Sequence, residues 1–128
     1  MKKIETMRIL SKKILIVDDE EGYRKVLSNS LSDIGYETTV ATCGLEALQA
    51  IKRENYTAIV LDMEMPGMDG IELLEQIQKA HHPSNIIIIT AYTCEDLAMR
   101  AIGKGAKKVI RKPFSMDDIK VCLNEIVD

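Results

Sequence analysis

Short apolar runs alternate along this chain with stretches in which apolar residues return every three or four positions. Ile14-Leu15-Ile16-Val17 is a continuous apolar run, fit for a strand buried on both faces. Tyr23, Val26, Leu27, Leu31 and Ile34 then recur at helical spacing, and Gly35 supplies a stop. Thr38-Thr39-Val40-Ala41 is rich in β-branched residues and reads as a short second strand. Leu45, Leu48 and Ile51 give a second helix, and Ala58-Ile59-Val60-Leu61 a third strand that ends at Asp62. Pro66, Gly67 and Gly70 mark a loop. Asp69 with Glu72 reads as a variant capping box, and Ile71, Leu74 and Ile77 make a third helical face. Residues 86–89 are the most apolar strand, ending at Thr90. Thr93 and Asp96 can cap a fourth helix near 95–102, whose weak apolar face and following Gly103 and Gly105 predict a loosely held element. Residues 106–110 form a fifth strand, and Ser115 and Asp118 cap a last helix with the face Ile119, Cys122, Leu123 and Ile126.

Five strands in strict alternation with five helices predict an α/β fold: a parallel sheet, right-handed crossovers and helices on both faces. The 128 residues fit one domain with one sizeable core. Residues 1–11 lack periodicity and read as an N-terminal extension, leaving 12–128 as the domain. An apolar share of 46% and a charged share of 29% are those of an ordinary soluble domain. A net charge of −3 argues against direct nucleic-acid binding, which needs a basic face. No run approaches the ~18 apolar residues of a membrane span. The first 13 residues are not a secretory signal, so a cytoplasmic location is expected, with no membrane partner. Cys43, Cys94 and Cys122 are odd in number and widely spaced, which argues against a disulfide framework or a zinc site, and mostly buried or idle thiols are expected. His81-His82 precedes Pro83 and belongs to a loop or helix end rather than a metal site.

The candidate chemistry follows from where polar residues interrupt the strands. In an open α/β sheet, ligands bind beyond the carboxyl ends of the strands. The first strand ends in Asp18-Asp19-Glu20, the third in Asp62 and the fourth in Thr90, while the fifth is followed by Lys112-Pro113. Carboxylates gathered on one rim repel, by about 4 kcal/mol for a pair ~4 Å apart at an effective dielectric near 20. Oxygen ligands without His or Cys suit a hard cation such as Mg²⁺. A divalent ion with Lys112 cancels the charge of Asp18, Asp19 and Asp62. Such a site can accept a dianionic phosphoryl group, with an aspartate able to serve as the nucleophile that forms an acyl phosphate and Thr90 donating a hydroxyl hydrogen bond. Singly, an acid pair beside a helix start, a strand-end threonine or a surface lysine has a plainer explanation. Asp62 does not, because a carboxylate at the end of a buried strand needs a partner.

The runs Ile14-Leu-Ile-Val-Asp-Asp-Glu20, Leu61-Asp-Met-Glu-Met-Pro-Gly-Met-Asp-Gly70, Thr90-Ala-Tyr92 and Lys112-Pro-Phe114 resemble the receiver domain of bacterial response regulators over residues 12–128. The resemblance implies a flavodoxin-like doubly wound sheet of order 2-1-3-4-5. It implies Asp62 as phosphoacceptor, Asp19 as a direct ligand of Mg²⁺ or Mn²⁺, Asp18 acting through metal-bound water, and the Glu64 backbone carbonyl as a further ligand. It also implies Thr90 as the switch hydroxyl, Lys112 as the phosphate-binding lysine, and a cis bond at Lys112-Pro113. Glu64 and Tyr92, each two residues past a site residue, are expected to tune the lifetime of the adduct. Val109 stands where the family often carries Tyr or Phe, so a swinging ring cannot carry the signal here. Implied partners are a histidine kinase or histidine phosphotransfer protein, a downstream effector domain or protein, and, as an open option, a second copy of the chain.

Two other readings compete. A metal-dependent phosphatase with an aspartyl nucleophile carries a D-x-D motif after its first strand, whereas Asp62 follows the third and Glu64 holds the second acidic place. A nucleotide- or flavin-binding module needs a G-x-G-x-x-G or Walker-type loop, which the sequence lacks. The expectation is therefore a phosphoacceptor that assists its own phosphotransfer and dephosphorylation, not an enzyme acting on a separate substrate.

Overall fold

The computed structural model describes residues 12–65, 67, 69–80, 85–91 and 95–127. The elements run β1 (Lys13–Val17), α1 (Glu21–Asp33), β2 (Glu37–Ala41), α2 (Gly44–Arg53), β3 (Ala58–Asp62), α3 (Gly70–Ala80), β4 (Ile86–Thr90), α4 (Glu95–Gly103), β5 (Lys108–Arg111) and α5 (Met116–Val127). All strand pairs are parallel and the order is β2-β1-β3-β4-β5, the flavodoxin-like arrangement expected. The proposed extension of residues 1–11 lies outside the described residues, as do His81, His82, Pro83, Tyr92, Thr93 and Cys94.

The pleat of the central strands sorts the core into two layers. Leu15, Val17, Ile59, Leu61, Ile86 and Ile88 face one side, where Ala47 and Ile51 of α2, Leu74 and Ile77 of α3, and Ala101 of α4 cover them. Ile14, Ile16, Val60, Ile87 and Ile89 face the other, under Leu27 and Leu31 of α1 and Ile119 and Leu123 of α5. Each fully buried Ile or Leu contributes on the order of 1.5–3 kcal/mol, so the three central strands dominate the stability. The outer strands β2 and β5 are only partly buried, as edges are.

Several sequence expectations shift. Leu45, which its spacing places on the α2 face, is 63% exposed. The helix begins at Gly44 and turns Gly44, Ala47 and Ile51 inward, which leaves Leu45 about a quarter-turn off that face. Val26 is exposed for the same reason, and Ile34 because it is the C-cap beyond the last helical turn, while Leu27 and Leu31 carry the burial of α1. Strand β5 starts at Lys108 rather than residue 106, because Ala106 donates its N–H back to Ala101 O and closes α4. Gly105, at φ +109°, makes the turn. Cys43 is exposed, directly before α2, and Cys122 is half-buried with its thiol pKa raised by that burial.

One close approach positions the loop that follows β3. The α3 N-terminus packs so near Met63 that a methyl group on Gly70 would collide with Met63 Sδ and stand 2.8 Å from its carbonyl oxygen. Met63 in turn donates its N–H to Ile89 O at 2.9 Å, so the residue after Asp62 is pinned from two sides.

Candidate functional site

The carboxyl ends of β1, β3, β4 and β5 bring Asp18, Asp62, Thr90 and Lys112 to one rim. Asp18 is fully buried although charged residues are seldom so. Its N–H donates to Ala41 O at 3.1 Å, and its carbonyl accepts from Arg24 Nη1 at 2.9 Å. These two bonds fix the backbone where β1 turns into α1. Asp18 Oδ1 accepts the Glu20 N–H at 2.9 Å, but Asp18 Oδ2 is buried without a hydrogen bond.

Asp62 is the last residue of a strand with no exposed position, and its side chain is almost as buried as the strand. Its Oδ1 accepts the Glu64 N–H at 3.1 Å, a local turn that aims the carboxylate at the rim. Lys112 Nζ stands 3.5 Å from Asp62 Oδ2, 3.5 Å from Asp18 Oδ2 and 3.6 Å from Glu20 Oε1. The ammonium therefore belongs to both buried acids at once. Its backbone is held by the Lys112 N–H to Thr90 O bond at 2.8 Å, and the Lys112-Pro113 bond is cis as expected. Tyr23 lies beneath the ammonium, its ring centre 4.1 Å from Nζ, and Tyr23 packs on Phe114 with centroids 5.6 Å apart.

The electrostatics match this geometry. Burial pushes the Asp18 carboxyl up to about 6 from its ordinary 3.8, and the charge of Asp62 adds to the rise against the Glu20 N–H and Lys112. Burial pulls on Lys112 in the opposite direction, but Asp62, Asp18 and Glu20 outweigh it and hold its pKa above the ordinary lysine value. A carboxyl whose folded pKa is raised takes up a proton on folding, so its stability contribution is lost as pH climbs through the folded value. From the Asp18 shift, the metal-free protein is expected to lose about 1 kcal/mol, roughly 3 °C in Tm, between about pH 5 and pH 7. Thermal unfolding in chelator across that window checks this, and a rise in stability would contradict it.

The donors fit a hard divalent cation. Oxygen atoms of Asp18, Asp19 and Glu20 lie within 4.8 Å of one another, and Asp18 Oδ2 is the buried acceptor that lacks a donor. Asp62 is outside that group of three and is tied to it by the shared Lys112. Thr90, nearly buried, donates its hydroxyl to Glu64 Oε2, and the Ala91 N–H donates to both Glu64 carboxylate oxygens, at 2.8 and 3.0 Å. Val109 pairs with Ile88 and packs on the α2–α3 side of the core. Tyr92 lies outside the described residues.

Two contacts have no counterpart in the sequence reading: Glu20 joins the lysine and Tyr23 supports it. The Asp-Asp-Glu run signals the first. Nothing in the sequence pattern distinguishes Tyr23 from an ordinary core residue of α1.

Comparison with known proteins gives one consistent answer. The family model described as the response regulator receiver domain matches residues 14–124. The sporulation initiation phosphotransferase F of Bacillus subtilis is 38% identical over 112 residues, 88% of this chain and 90% of that protein. The DNA-binding transcriptional regulator NtrC of Escherichia coli is 36% identical over 105 residues, 82% of this chain but only 22% of that longer protein. Among solved structures, a CheX-CheY-BeF3-Mg²⁺ complex from Borrelia burgdorferi superposes with a TM-score of 0.86 at 30% identity, covering 91% of this chain and 90% of that one.

Proposed function

The chain belongs to the response regulator receiver family, whose members are phosphorylated on an aspartate, and from that premise we propose that Asp62 is the accepting residue. The observation that carries the reading is Asp62 itself, a buried carboxylate at the end of an apolar strand, 3.5 Å from a largely enclosed ammonium. In the proposed reaction a carboxylate oxygen of Asp62 attacks phosphorus. The bond from phosphorus to the donor atom breaks, and the donor keeps the electron pair. Lys112 is placed to pair with phosphoryl oxygens, and Thr90 to donate a hydrogen bond to one. Asp18, Asp19, Asp62 and the Glu64 carbonyl are the proposed holders of Mg²⁺ or Mn²⁺, with Glu20 at the edge of the same group. When bound, the ion supplies positive charge that offsets the oxygens of the incoming group.

The proposed donor is a phosphohistidine of a histidine kinase or of a phosphotransfer protein, and the likeness to a sporulation phosphotransferase supports it. No helix among the described residues is long and apolar enough to cross a membrane. Incubation with acetyl phosphate and Mg²⁺ tests the reaction class. A receiver takes up at most one labile phosphoryl group per chain; many rapid turnovers per chain with no adduct would identify a phosphatase instead.

The proposed output runs through α4. Val109 has one stiff torsion and no ring to swing. Helix α4 has a single fully buried residue, Ala101, and leaves Met99 and Ile102 exposed, so it is weakly anchored. Loading with a phosphoryl mimic and Mg²⁺ is expected to shift amide resonances across residues 95–105, and changes confined to the loops around Asp19, Asp62 and Lys112 would contradict this route. An effector domain or protein is the proposed reader of that face.

A further inference from the structure

The Thr90 hydroxyl and the Ala91 N–H both end on the carboxylate of Glu64. These two donors sit at the carboxyl end of β4, directly after Ile89, the sheet partner of Asp62. They are the uncharged donors that an extra group on Asp62 would meet on that side. A carboxylate offers them two anionic oxygens, which is the hydrogen-bonding chemistry of a phosphoryl group. We propose that Glu64 is an internal competitor: its carboxylate occupies the phosphoryl seat of the resting protein and has to leave for the phosphoryl group to enter. The inference rests on Asp62 being the phosphoacceptor.

Local structure makes the exchange feasible. Glu64 lies one residue beyond the pinned Met63, and its N–H is held by Asp62 Oδ1, so its backbone stays in place while its side chain swings. The side chain is only half-buried, and exposed Gly67 follows in the same loop, so a released carboxylate reaches water without opening the core. Two anions cannot share one pair of donors, and like charges this close repel. Glu64 thus raises the threshold for loading and, once loading is complete, stands ready to take the donors back.

The role separates from a merely structural one because it predicts a gain on truncation. Beryllofluoride, which adds to a carboxylate oxygen in place of a phosphoryl group, is the probe, titrated with saturating Mg²⁺. Glu64→Ala is expected to bind it on the order of tenfold more tightly than the wild type, the effect of releasing a charge-assisted hydrogen-bond acceptor. Glu64→Gln, which keeps an oxygen but loses the charge, is expected to fall between them. Without the probe, the Ala91 amide resonance should move upfield in Glu64→Ala as its charged acceptor disappears. Equal or weaker binding by Glu64→Ala overturns the proposal. Failure of the wild type itself to bind beryllofluoride would instead sink the assignment of Asp62, and the competitor role with it.

Discussion

Asp62→Asn is expected to leave the protein folded and wholly unable to take a phosphoryl group. The side-chain volume is nearly unchanged, and an amide oxygen can still accept the Glu64 N–H that now ends on Asp62 Oδ1. What disappears is the anionic oxygen that attacks phosphorus. The substitution also removes the charge that helps push Asp18 upward, so the Asp18 pKa should fall from about 6 toward its ordinary value. The metal-free variant should therefore be at least as stable as the wild type at neutral pH, although Lys112 loses one partner. Intact-mass measurement after acetyl phosphate and Mg²⁺, paired with thermal unfolding in chelator, reads both effects. An adduct on the variant equal to that on the wild type would place the chemistry elsewhere. Loss of the fold would mean that Asp62 is held for structure rather than reaction.

Asp19→Ala is expected to weaken Mg²⁺ binding on the order of 100-fold, while the stability of the metal-free protein moves by no more than about 0.5 kcal/mol. Asp19 is exposed, and its oxygen lies with those of Asp18 and Glu20 inside 4.8 Å, so it donates charge to the rim without supporting the core. Its removal relieves repulsion and takes away a ligand at once. Calorimetric titration of Mg²⁺ into both proteins separates the two consequences. Equal affinities would show that the ion is held by other groups.

The architecture was legible because central parallel strands must be apolar throughout, and helices that cover them must repeat their apolar residues. Ile14-Leu15-Ile16-Val17 and the run at 86–89 could be little else once the alternation was seen. The errors fall at the surface, where the pattern carries less information. Leu45 and Val26 are apolar yet exposed, and an exposed apolar side chain costs too little for spacing alone to assign its face. The rim residues were legible because each interrupts or follows a strand, and the open-sheet rule sends them to one edge. Their mutual arrangement was not. That Lys112 is shared by Asp18 and Asp62, rests on Tyr23, and leaves Glu64 to hold Thr90 depends on side chains from the ends of four strands and the start of α1 meeting in space. No local pattern encodes such a meeting.

The most direct test of the central assignment is to locate the phosphoryl group on the chain. Wild-type protein treated with acetyl phosphate and Mg²⁺ is reduced with borohydride, which converts an aspartyl phosphate to homoserine, and the peptides are sequenced by tandem mass spectrometry. The account predicts homoserine at position 62 in the sample with Mg²⁺ and aspartate there in the sample with chelator. Homoserine at position 18 or 19, or intact aspartate at 62 in a sample whose mass shows the adduct, would contradict it.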